Sequence, residues 1–155
     1  MNFFKSVVSA GAVLTAVGFT ACGDSSSTSS EAREPVLVAP ESIESLDCSV
    51  ENGVKVLFPK GGESVHMGDT VLVVYGTDVK GSGFRFVFKK ADNDSGLDML
   101  EESAGPESPD GKTCYEQKVV LTDEVAEPTE TAIIRVIPYE ETKKGSNSGT
   151  FKVTE

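Results

Sequence analysis

Phe84-Arg85-Phe86-Val87-Phe88-Lys89 is the stretch on which the fold turns. Three phenylalanines alternate with Arg85, Val87 and Lys89. A side-chain period of two is that of a strand with one face on a core. Phe84, Phe86 and Phe88 are therefore expected to project together into an interior. Working outward, the run Thr70 to Tyr75 is almost wholly β-branched or aromatic and reads as a central strand closed by Gly76, with Val71 and Val73 as core residues. Val54, Val56 and Phe58 share one face of an earlier strand, which Pro59-Lys60-Gly61-Gly62 interrupts. In Tyr115 to Leu121, Tyr115, Gln117 and Val119 lie opposite Glu116, Lys118 and Val120. Thr131 to Ile137, ended by Pro138, contributes Ile134 and Val136 to the core, and Ser148 to Val153 contributes Phe151 and Val153. No segment carries a long apolar stripe of period 3.6. Six or seven short strands with Gly and Pro turns predict an all-β, antiparallel β-sandwich of about seven strands. The residue pattern alone does not separate this from a small closed barrel.

The amino-terminal end carries a different message. Lys5 is followed by the short, mostly small and apolar run Val7 to Thr20, which is brief for a bilayer span. It ends in Phe19-Thr20-Ala21-Cys22, which resembles a bacterial lipoprotein processing box. Gly23-Asp24 and a Ser-rich tract follow, similar to the tether after a lipoprotein cysteine. The resemblance implies a signal peptide over 1–21 and acyl chains, palmitate among them, on Cys22. Gly23, rather than an acidic residue, points to the outer membrane. Each buried methylene contributes about 0.8 kcal/mol, so several chains hold firmly.

With a tether over 22–47, roughly 100 to 105 residues remain for one domain over 48–155, enough for a single core. The formal charge of −11 argues against nucleic acid and against docking on anionic lipid, so membrane attachment falls to the acyl chains. Cys22 taken by lipid leaves Cys48 and Cys114 as an even pair in an oxidising compartment. A disulfide is expected, with two free thiols as the alternative.

The stretch from Val56 through Pro59-Lys60-Gly61-Gly62-Glu63 to Gly68-Asp69-Thr70-Val71 resembles the opening of the Ser-Thr-rich membrane-anchored family of immunoglobulin-like modules. Ser146-Asn147-Ser148-Gly149-Thr150-Phe151-Lys152-Val153 resembles that family's last turn and strand. The resemblance spans Gly53 to Val153 and implies an immunoglobulin-like sandwich. Such modules are mostly accessory or adhesive parts of secreted and cell-surface proteins.

Residues suited to chemistry are few. His66 is the only histidine, a poor basis for zinc. No G-x-S-x-G elbow surrounds any serine. There is no Trp, and the three tyrosines give little support to sugar stacking. The best ligand candidate is the insert 90–113, whose residues 91–110 hold seven carboxylates and no Lys or Arg. Asp92, Asp94, Asp98 and Glu102 offer oxygen ligands of the type calcium takes, but the spacing does not fit an EF-hand. A solvated, mobile acidic loop is the expectation.

These readings converge on a non-catalytic module, lipid-anchored in the bacterial envelope, without a cofactor or catalytic residue. It would serve binding, adhesion or assembly, with an envelope protein or polysaccharide as partner and no nucleic acid. The insert 90–113, the loop 122–130 and the last-strand edge are the surfaces to inspect. A purely structural envelope protein and a small envelope hydrolase are the alternatives.

Overall fold

A computed structural model describes Arg33–Glu155. The expected signal peptide over 1–21 and Cys22 lie outside the described residues. The described chain is all-β. Its strands are β1 (Leu37–Val38), β2 (Val54–Phe58), β3 (Ser64–His66), β4 (Thr70–Thr77), β5 (Phe84–Lys89), β6 (Leu97–Asp98), β7 (Cys114–Val120), β8 (Thr129–Pro138), β9 (Ser146–Asn147) and β10 (Phe151–Thr154). The one helical element among the described residues is a 3₁₀ turn at Thr142–Lys144.

Two mixed sheets form. In the first, β4 is the central strand. Along one edge it pairs antiparallel with β7, from Thr70 opposite Val120 to Gly76 opposite Cys114. Its other edge is shared: β1 runs parallel beside Thr70 and Val71, and β2 runs antiparallel beside Val74 to Thr77. The second sheet has the order β3-β10-β8-β5-β6, with β9 also on β8. Here β3 lies parallel to β10, and the remaining pairs are antiparallel. The sheets are thus mixed rather than purely antiparallel. Both parallel pairs join strands distant in sequence, which is what parallel pairing requires.

The core lies between the sheets. Phe84, Phe86 and Phe88 are buried on one face of β5, with Ile134 and Val136 from the neighbouring β8 and Phe151 and Val153 from β10. From the facing sheet come Val71, Val73 and Tyr75 of β4 and Val119 of β7. The Tyr75 ring packs 5.5 Å from Phe84 and 5.7 Å from Phe86, centroid to centroid. Burial pushes its hydroxyl pKa up to about 12. Val54 and Phe58 are also buried, while Val56 is half-buried against the core.

The expected common face of Val54, Val56 and Phe58 is broken. The β2 register shifts after Val56, which opposes Tyr75, so that Phe58 opposes Val74. One extra residue in a strand reverses the alternation beyond it. Phe58 therefore sides with Val74, away from the inter-sheet face.

That second face of β4 is also dry. Alternation places Leu72, Val74 and Gly76 there, and Leu72 and Val74 are buried. The cover is the segment from Arg33 to Cys48. After β1 it passes Ile43 and Leu46, both packed on the core, and reaches Cys48. A Cβ on Gly76 would stand 2.0 Å from the Cys48 carbonyl oxygen, so only glycine admits the chain here. Cys48 is bonded to Cys114 on β7, with Cα atoms 5.2 Å apart. The sequence reading sets a tether over 22–47 and the domain boundary at Cys48, whereas the described residues 33–47 belong to the same compact unit as the domain. Segment 33–48 is a strap across the first sheet.

Candidate functional site

Three polar places hold the residues singled out by the sequence: the turn before β4, the insert with the loop beside it, and the corner where β2 passes into β3.

At the first, the backbone turns through Gly68, at a φ of 86°, into Asp69, whose side chain is almost fully buried. Arg33 Nη1 and Nη2 donate to its two oxygens at 2.8 and 3.1 Å. The backbone N–H groups of Val36 and His66 donate at 2.9 and 3.0 Å. Burial pushes the Asp69 carboxyl up, but Arg33 and the two N–H groups outweigh it and hold the carboxyl below its ordinary value. The arrangement fastens the start of the strap to the central strand. The Thr70 N–H then donates to Val36 O at 2.9 Å and begins the β1–β4 pairing. His66 closes β3 with Nδ1 3.8 Å from Asp69, alongside this latch.

At the second, the insert follows the edge of β5 instead of standing out as the expected loose loop. Leu97 and Asp98 pair with Phe88 and Val87. The Met99 N–H donates to Phe86 O at 2.8 Å, the Phe84 N–H donates to Ser103 O at 3.3 Å, and Ala104 bridges to Gly83. Gly96, at a φ of 77°, lets the turn lie flat, since a Cβ there would come within 2.5 Å of Phe88 O. The loop 122–128 closes beside it. Lys90 Nζ reaches Glu127 at 2.6 Å, and the Thr131 hydroxyl donates to Lys90 O at 2.7 Å. Together the two candidate loops line a cleft of about 230 Å³ between Phe88, Leu97, Val125 and Ala126.

The four weak calcium candidates do not converge. Asp98 takes a two-pronged hydrogen bond from Arg85, at 2.9 and 2.8 Å. Asp94 accepts the Lys90 N–H at 3.0 Å, which lowers its pKa. Asp92 accepts from Asn147 Nδ2 at 2.9 Å, and its backbone carbonyl accepts from Lys89 Nζ. Glu102 is exposed. No group of three acidic, His or Cys side chains able to hold a metal forms among the described residues. The cations missing from 91–110 are supplied by β5, where Arg85 and Lys89 lie on the face opposite the phenylalanines, Lys89 itself buried.

At the third place, the residues that carry the family resemblance meet. Glu63 accepts the backbone N–H groups of Lys60 and Gly61 at 3.0 and 2.9 Å, fixing the Pro59–Gly62 corner. The Gly149 N–H donates to Pro59 O and the Gly62 N–H to Thr150 O, both at 2.9 Å. A Cβ on Gly149 would lie 2.0 Å from Lys60 O. The opening and closing motifs are thus two halves of one corner. The Ser148 hydroxyl continues the ladder there by accepting the Ile134 N–H at 3.0 Å.

Sequence reading marked Gly68-Asp69 as a turn but missed the role of Asp69 as a latch. An Asp just before a β-branched run was the available signal, while its partner Arg33 lay in what read as tether. Comparison with family models, with curated proteins and with solved structures finds no match to this chain.

Proposed function

We propose that the chain is a non-catalytic, lipid-anchored module of the bacterial envelope, held by acyl chains on Cys22 in the outer membrane. It acts through its surface in binding, adhesion or assembly. The observation that carries this reading is the strap. Immediately after the Ser-rich tract, the chain is gripped at Arg33 by a buried carboxylate and tied at Cys48 by a disulfide. A segment joined to an anchor is thereby built into the domain. The disulfide fits the oxidising compartment that a secreted lipoprotein enters. Lys90, Asp92, Asp94 and Asp98 of the insert are engaged in structural pairs, and Tyr75, the aromatic nearest the core phenylalanines, is buried.

The connectivity supports the immunoglobulin-like part of the resemblance. The chain leaves the first sheet after β2, turns at Pro59–Gly62, and joins the second as β3 beside the last strand, β10. The proposal is tested on protein purified in detergent from its native membrane. Intact mass of the amino-terminal peptide should show Cys22 as the first residue and acylated, and Cys22→Ala should move the protein to the soluble fraction. An unmodified Cys22, or unchanged fractionation of the variant, overturns the anchored reading.

A further inference from the structure

The geometry of β7 points to a second copy of this chain as a partner, paired antiparallel along the edge of β7 that faces away from β4, with the twofold axis at Gln117. The argument starts from which backbone groups face outward. The Leu121 N–H donates to Asp69 O at 3.0 Å and the Gly68 N–H to Leu121 O at 2.8 Å, so Leu121 faces β4. Strand groups alternate in direction along an antiparallel pair. Val119, Gln117 and Tyr115 therefore also face β4, while Val120, Lys118, Glu116 and Cys114 present their N–H and C=O groups outward. Two observations agree with this assignment. The Thr77 carbonyl, across from this end of β7, accepts from Gly111 on the same side. The Lys118 carbonyl is reached by its neighbour's side chain, Gln117 Nε2, at 2.9 Å, a stand-in for a strand donor. Among the described residues β7 pairs with β4 alone.

Seven residues form this edge, and Glu116, Lys118 and Val120 on it are exposed. Outward-facing groups hydrogen-bond only with outward-facing groups, which restricts a self-pairing to registers centred on one residue. Centring on Glu116 sets Glu116 against its own copy, and centring on Lys118 sets two lysines together. Centring on Gln117 alone places Glu116 of each copy opposite Lys118 of the other, twice, with Cys114 opposite Val120 beyond them. Opposite charges directly across a strand pair attract and like charges repel. The sequence Glu116-Gln117-Lys118 is thus self-complementary about its middle residue, in the register that aligns all seven residues of β7 and sets no like charges together. Two four-stranded sheets would join into one continuous sheet of eight. The same charges on an isolated edge guard it against promiscuous pairing. The self-pairing reading differs in requiring both signs in this order.

The test is sedimentation velocity on the full-length protein carrying Cys22→Ala, which removes any acyl contribution, over a micromolar to millimolar series. Circular dichroism confirms the fold of each variant. The expected result is a monomer–dimer equilibrium that Glu116→Lys and Lys118→Glu each weaken by about tenfold, through lost ion pairs and new like-charge contacts. The double exchange, which restores opposite charges across the axis, should recover dimerisation. A monomer throughout the series overturns the proposal. So does a dimer indifferent to the single exchanges, or a double exchange that stays as weak as either one.

Discussion

The strap 33–48 and the insert 90–113 are both polar segments laid on a sheet, and they are held by opposite means. The strap covers Leu72 and Val74 with Ile43 and Leu46, and is fixed at its two ends by a buried carboxylate and a covalent bond. The insert adds a short edge strand to β5, places one side chain, Met99, in the core, and is otherwise steadied by exposed pairs such as Arg85–Asp98 and Lys90–Glu127. Attachments removed from water and fixed at both ends are expensive to undo, whereas solvent-screened charge pairs contribute little. The strap should therefore open only with much of the domain, and the insert should open by itself.

Removing the covalent tie is the most severe way to break this contrast. The Cys48→Ala/Cys114→Ala variant loses a cross-link of sequence separation 66. It should lose about 4 kcal/mol of unfolding free energy in the chain-entropy model, measured by urea titration. Next comes Gly76→Ala, which drives a methyl into the Cys48 carbonyl and should cost about 3 kcal/mol while slowing formation of the disulfide. A variant with unchanged stability and full oxidation would show that the strap does not lie on Gly76.

Asp69→Ala should cost about 2 kcal/mol, because the N–H groups of Val36 and His66 and the Arg33 guanidinium lose the buried carboxylate that accepts from them. Amide exchange should quicken at Thr70 and not along β6. Acid sharpens the same point. The folded-state pKa of Asp69 lies below its ordinary 3.8, so its contribution is complete above that value and is lost as pH falls through the lowered one. The melting temperature of the wild-type protein should fall relative to that of Asp69→Asn across this acidic window. Parallel curves would remove Asp69 from the account. Smallest of all, a double-mutant cycle on Arg85 and Asp98 should return about 0.5 kcal/mol, reduced further by salt.

What sequence could show depended on how far each signal extends. The ladders of β4, β5, β7 and β8 are long enough for period-two alternation, and their buried residues Val71, Val73, Phe84, Phe86, Phe88, Ile134 and Val136 were legible in it. The disulfide followed from cysteine arithmetic. Strands of two or three residues, such as β3 and β9, contain too little repeat to register. Their pairing is decided by what already stands in space. The Arg33–Asp69 latch joins residues 36 positions apart, and neither residue announces the other. The β2 bulge could not be seen either, because Val54-Lys55-Val56-Leu57-Phe58 alternates correctly until β4 pairs with it out of step. At the candidate site the residue types were readable, but not their engagement, since the cations that occupy Asp92 and Asp98 sit on β5 rather than in the insert.

The Cys48–Cys114 bond has a mechanical consequence. If the two ends of the chain are drawn apart, tension entering at residue 33 peels the strap only as far as Cys48, then crosses the sulfur bridge to Cys114 and leaves through β7, β8 and β10. Residues 49–113, including β2 to β6 and the phenylalanine-rich β5, lie outside that path. Stretching would draw out only the strap and the carboxyl-terminal strands, while the bridged loop stays slack until the sulfurs are reduced.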